Sequence, residues 1–222
     1  MLNKLKPTIA VVDSGIGGVS VLKQLIQKYH AGNYIYFADN LYMPYGKKSA
    51  TFLKNRVENI IEYLNKLYQP DIIFIACNTA SSVLKNKLKN VKTIDFKPDT
   101  PILATKLTSQ QLTGFNVIAA KNLATQIEKH ISNLPVLYKY IKHLVENLKL
   151  NQYKSITLGC THYELVKDLF TKQCQNTQFL LNSSRMVESV KFKPKQGQKT
   201  IKIILSKKDE KYEKRILNLI NE

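Results

Sequence analysis

Acidic side chains are scarce in this sequence. Asp and Glu together number 16 against 34 Lys and Arg, which leaves a formal net charge of +18. A field of that sign favours the approach of a small acidic substrate, or weak, salt-sensitive contact with nucleic acid. Arginine is scarcer still, confined to Arg56, Arg185 and Arg215, so lysine carries nearly all the positive charge. Sequence-specific DNA readers lean on arginine forks at guanine edges, and that class is disfavoured. Cysteine occurs only 3 times, with no CxxC spacing. This excludes a disulfide framework and points to reduced thiols inside a cell. No apolar run reaches the length of a membrane span. The apolar stretch "TIAVV" behind the first lysines is too short for the core of a signal peptide. The expectation is a soluble, cytoplasmic protein with no membrane partner.

Several familiar signatures are missing as well. "DSGIGG" (Asp13–Gly18) is not a dinucleotide fingerprint, because the third glycine would fall at Ser20. No Gly-Lys-Ser/Thr follows it, so it is not a Walker A loop. There is no G-x-S-x-G elbow for a serine hydrolase. Cys160 and His162 lie close together, but no regular four-ligand set accompanies them, and no metal is expected.

What is present reads as α/β. The 222 residues are 44% hydrophobic and 23% charged, enough apolar material for a real core. "TIAVVD", "YIYFAD" and "DIIFIA" are strand-like. The helix-like segments among them are "VSVLKQLIQKY", Ser49 to Leu67, and Ser81 to Leu88. The pattern restarts near Asp95–Pro101. "PILAT", "FNVIAA", "SITLG", "TQFLLN" and "TIKIIL" then read as strands. Thr108–Leu112, Leu123–Ile131, Leu137–Leu148, a segment behind "GCTHY" and Glu210–Ile220 read as helices. Lys191–Lys199 reads as an exposed loop. Such alternation predicts parallel sheets covered by helices, arranged as two similar α/β units.

Chemistry concentrates at loops behind the strands. The glycines of "DSGIGG" allow positive φ and close backbone approach, and the helix behind them favours an anion. "MPYGKKS" (Met43–Ser49) is a turn in which Tyr45 could orient a ligand. Two cysteine corners stand out most. "IACNTAS" and "TLGCTHY" each place a cysteine between a strand end and a helix start. Ligands of parallel α/β sheets bind at that end, and a helix N-terminus favours the thiolate. Cys174 has no such context and reads as structural. Two thiols on matched units suit proton abstraction from one face of a carbon acid and delivery to the other. A single Cys160–His162 nucleophile pair remains an alternative, but it leaves the Cys77 corner unexplained.

In this order, "VVDSGIGGVSVL", "FADNLYMPYGKKS", "IACNTAS" and "LGCTHYELV" resemble the glutamate racemases of the cofactor-independent aspartate/glutamate racemase superfamily. The resemblance implies two α/β domains with the active site in the cleft between them, and no cofactor. One domain would comprise residues 1–93 plus 183–222, the other 94–182. Cys77 would be the acid/base for the D-enantiomer and Cys160 for the L-enantiomer, assisted by Asp13, His162 and Glu128. Asp13, Ser14, Tyr45, Gly46, Asn78, Thr79, Thr105, Thr108, Thr161 and His162 would bind substrate. The partner implied is a small acidic amino acid, with D-glutamate supplied to peptidoglycan. A homodimer is left open, and nucleic acid is disfavoured. The sequence departs from the family at Lys106-Leu107, where a Pro/Gly-type pair is expected, and at Ala120-Lys121, where Cys-Pro is expected. It departs again at Glu164, in place of proline, and it is short between Lys89 and Thr100. Those departures keep two further readings in view: an aspartate or broader amino-acid racemase, and a basic binding protein of racemase-like fold without activity.

Overall fold

The computed structural model describes residues 6–84, 88–97, 99–191 and 197–222. In chain order the first elements are β1 (Thr8–Asp13), α1 (Val19–Tyr29), β2 (Gly32–Ala38), α2 (Ala50–Tyr68), β3 (Ile72–Ile75), α3 (Asn78–Val83) and β4 (Val91–Lys92). Next come β5 (Ile102–Ala104), α4 (Lys106–Gln111), β6 (Val117–Ala119), α5 (Leu123–His130), α6 (Leu134–Asn147), β7 (Ser155–Gly159), α7 (Thr161–Leu165), α8 (Lys167–Gln173) and β8 (Gln178–Leu181). The chain closes with α9 (Asn182–Glu188), β9 (Lys199–Leu205) and α10 (Glu210–Asn221).

Two all-parallel sheets result, in the orders β4-β3-β1-β2-β9 and β6-β5-β7-β8. The first is buried on both faces, and its strands divide their side chains by the period of two. Ile9, Val11, Tyr34, Tyr36, Ile72 and Phe74 enter one core with α1, α9 and Ile216 of α10. Ala10, Val12, Ile35, Phe37, Ile73 and Ile75 enter the opposite core under α2. The amphipathic face of α2 supplies Leu53, Val57, Ile60, Ile61 and Leu64 to that second core. The other sheet has its main core under α5 to α8, with Leu123, Ile127, Leu137, Ile141 and Phe170 at its centre. Cys174 ends α8 and is buried in this core, a structural position.

Local chemistry sets the helix ends. Ser49 caps α2 by accepting from Phe52 N–H at 3.2 Å, and Gln69, left-handed at φ 44°, ends it ahead of Pro70. The same logic moves two boundaries from their sequence expectation. Helix α4 starts at Lys106 because Thr105 is its cap. Helix α6 starts at Leu134 behind the Asn133 cap, with Pro135 in its first turn. Helix α3 starts directly behind Cys77 rather than at Ser81. Its first turns, Asn-Thr-Ala-Ser-Ser, carry no apolar period to read. Of its expected Ser81–Leu88 span, residues 85–87 lie outside the described set, as do residues 192–196 of the Lys191–Lys199 stretch. Helix α9 and the two-residue β4 had no distinct sequence signal.

Candidate active site

The carboxyl ends of both sheets carry the polar residues singled out above. Asp13 ends β1, Cys77 lies just beyond β3, Thr105 follows β5 and Cys160 follows β7. Each cysteine is the N-cap residue of the helix behind it, α3 or α7. The two sheet ends face one another across a cavity of about 310 Å³. Both cysteines line it, as do Ser14, Tyr45, Gly46, Thr79, Thr105, Glu128, Thr161 and His162. Asp13, Asn78 and Thr108 are buried behind this wall.

The two thiols have different surroundings. Cys77 points its Sγ at Ser14 Oγ, 3.9 Å away. Burial, the nearby Asp13 carboxylate and the charge of Cys160 all push its pKa up, against weaker help from Ala80 N–H and Ser14, so Cys77 is held as a thiol. Cys160 sits instead beside His162. Burial alone would discharge that imidazole, but its contacts with Cys160 and Glu128 outweigh burial and hold its pKa well above the usual value. His162 Nε2 is hydrogen-bonded to Glu128 Oε2. Burial works against the Glu128 charge too, and His162, Tyr212 and Arg215 together reverse it and hold this carboxylate below its ordinary pKa. Tyr212 O–H donates to Glu128 Oε1 at 2.8 Å, and Arg215 Nη1 lies 3.7 Å from the same oxygen. The result is a buried imidazolium–carboxylate pair with the imidazolium facing Cys160.

Contacts between the two units complete the site. Thr161 O–H donates to Asp13 Oδ2 at 3.0 Å, while Gly15 N–H donates to Asp13 Oδ1 at 2.9 Å. Burial raises the Asp13 pKa despite the pull of His162 and these donors. Thr79, Thr105 and Thr108 form a triangle of hydroxyls, 3.0 to 3.1 Å on each side. Asn182 at the start of α9 donates to Asn78 Oδ1 at 3.1 Å. Tyr45 O–H donates to Asp39 Oδ2 at 2.6 Å, and Asp39 also takes the Arg56 fork at 2.9 and 2.7 Å. Tyr45 therefore shows the cavity its ring rather than a free donor. The glycines of "DSGIGG" serve close approach and not positive φ, which among described glycines occurs only at Gly32 and Gly114. A Cβ at Gly17 would stand 2.4 Å from Thr161 Oγ1 and 2.7 Å from His162 Nδ1.

No protein-family model matches the chain. It is 30% identical over 194 aligned positions to glutamate racemase of Aliarcobacter butzleri, covering 74% of each chain. It is 31% identical over 186 positions to glutamate racemase of Buchnera aphidicola, covering 71% of this chain and 73% of the relative. The chain belongs to the glutamate racemase family. It is thus an amino-acid racemase, an isomerase. The crystal structure of glutamate racemase from Francisella tularensis in complex with D-glutamate shares its fold, with a TM-score of 0.76 at 21% identity over 98% of this chain and 94% of that one.

Sequence reasoning missed part of the racemase's cavity wall. Met43, Pro44, Ala124, Thr125, Lys129, Tyr212 and Arg215 also line it. Tyr212 and Arg215 come from α10, far from either cysteine in sequence. Their three-residue spacing puts them on one helix face beside the buried Ile216. That spacing was the available signal, but it reads equally well as ordinary amphipathic surface.

Proposed function

We propose that this racemase interconverts L- and D-glutamate by two-thiol 1,1-proton transfer, with neither metal nor pyridoxal phosphate. The observation that carries the reading is that Cys77 and Cys160, from different sheets, open onto one cavity. An α-carbon held between them has one sulfur on each face. In the L-to-D direction the Cys160 thiolate takes the Cα proton, and the electron pair is left on carbon and delocalised into the α-carboxylate. The Cys77 S–H then delivers its proton to the opposite face, which leaves a Cys77 thiolate and a Cys160 thiol. The reverse direction exchanges the roles. The His162 imidazolium stabilises negative charge on its sulfur neighbour, while Asp13 and burial keep Cys77 protonated. Ser14, Thr79, Thr105 and Thr161 line the cavity with polar side chains beside which the substrate carboxylates would lie. Asn78, Thr108, Tyr45 and Gly46 hold that wall in place.

Glutamate is favoured over other amino acids by the curated relatives and by the D-glutamate complex of the Francisella enzyme. No helix among the described residues is long and apolar enough to cross a membrane. We read the enzyme as cytoplasmic and its D-glutamate as a peptidoglycan precursor. We read its domains as 1–93 plus 183–222 and 94–182. The test is incubation with L- or D-glutamate in D₂O, following optical rotation and loss of the Cα–H resonance. Racemisation with one solvent deuteron at Cα is expected from either enantiomer. No exchange with glutamate or aspartate overturns the activity, and exchange with aspartate alone reassigns the substrate.

A further inference from the structure

A second cavity, of about 290 Å³, adjoins the one holding the thiols. The two share Pro44, Gly46, Thr105, Ala124 and Thr125 as walls. The second cavity therefore lies against the first across a common wall, and we refer to it as the vestibule. Its lining includes Lys47, Lys106 and Lys121 and no carboxylate. These lysines come from three separate places: the 3₁₀ turn over Tyr45–Lys47, the first residue of α4, and the bend behind β6. None of the three side chains is in an ion pair among the described residues.

Three exposed lysines with no ion pair, gathered on the lining of one cavity that holds no carboxylate, make a local positive field that favours a dianion. The inner cavity is less cationic in effect: Arg215 and His162 are engaged by Glu128, and Lys129, its one lining lysine, has no ion pair among the described residues. The vestibule therefore holds the larger share of the unpaired positive charge beside the thiols. We propose that it is a distinct anion-binding site that captures the dicarboxylate substrate before the α-carbon reaches the cysteines. This rests on the racemase reading for the identity of the dianion. The charge would act on capture and not on chemistry, because no lysine of the set lines the cavity that holds the sulfurs.

The test compares the wild type with the triple variant Lys47→Gln, Lys106→Gln, Lys121→Gln, after thermal melts establish that both are folded. In low salt the variant is expected to show a KM for glutamate raised about tenfold or more, with kcat unchanged, and a flatter dependence of kcat/KM on sodium chloride. Inorganic phosphate is the second probe, titrated calorimetrically without substrate. It should bind the wild type, compete with glutamate, and lose affinity for the triple variant. An unchanged KM and salt slope in the variant would overturn the proposal. So would phosphate binding that persists in it, or phosphate binding that leaves the wild-type KM untouched. If the wild type racemises nothing, the functional reading fails on that result alone, and the calorimetry still decides whether the vestibule binds anions.

Discussion

At the scale of single residues, the proposed two-base scheme gives each sulfur one enantiomer, so each substitution should separate exchange from racemisation. Cys77→Ala is expected to lose racemisation by about 10²–10⁴-fold or more. It should still wash the Cα proton of L-glutamate into D₂O, because Cys160 and His162 remain. Cys160→Ala should show the mirror result, with exchange confined to D-glutamate. Proton NMR of both enantiomers with both variants reads this directly, and full racemisation by either variant would dismiss the two-base scheme. Glu128 offers a subtler case. Tyr212→Phe removes a 2.8 Å hydrogen bond to its carboxylate, a loss of about 1.5–3 kcal/mol for a bond to a charged group. The Glu128 pKa should rise toward its ordinary value, read as a higher midpoint of the Glu128 carboxylate titration by carbon NMR. If that midpoint does not move, Tyr212 plays no part in keeping the carboxylate charged.

At the scale of elements, the loop between β1 and α1 is shaped by the opposite unit. Gly17→Ala would drive a Cβ into Thr161 Oγ1 and the His162 backbone N–H, at 2.4 and 2.8 Å. Overpacking of this kind costs about 1–3 kcal/mol. It should also move Thr161 off Asp13, so both the urea midpoint and kcat should fall, whereas an Ala with wild-type values would show the loop to be slack. These elements also show how far the sequence could be read. Both sheets, the long α2 and the two cysteine corners were legible because buried strands and amphipathic helices repeat at fixed periods. The tight fit of Gly17 was not, since it depends on a contact 144 or more residues along the chain. Nor were the short helices α3 and α9, whose first turns are small and polar. The role of α10 in the cavity wall was hidden for a related reason. A helix face that covers a site and one that meets solvent both look polar, and only the sheet order decides between them.

At the scale of the whole molecule, the two units are tied by buried polar groups as well as by the cavity. Glu164, in α7, accepts from Ser20 Oγ on α1 at 3.1 Å and from Ser183 N–H on α9 at 3.0 Å. Burial raises its pKa from 4.5 to about 7, against the pull of these donors. Below pH 4.5 the carboxyl is neutral whether the chain is folded or not. Between there and about 7 the folded chain keeps a proton that the unfolded chain has released, so stability falls as pH rises. The full difference is about 3 kcal/mol and is constant above that window. Glu164→Gln should flatten this slope and stabilise the protein at pH 8, as read from urea midpoints at pH 4, 6 and 8. A slope unchanged in the variant would locate the pH sensitivity elsewhere.

The sheet order β4-β3-β1-β2-β9 has one more consequence. Strand β2 is complete at Ala38, but its outer neighbour begins only at Lys199. While the intervening chain emerges from the ribosome, the four strands of the other sheet, from Ile102 to Leu181, can pair among themselves. The edge of β2 waits throughout with open N–H and C=O groups, available to a neighbouring nascent chain. Capture of that edge by β9 is therefore the last step of sheet assembly, and the α10 that follows it then brings Tyr212 and Arg215 to the cavity wall. A pulse-labelled chain should be most prone to aggregate before β9 is added and acquire activity only after it.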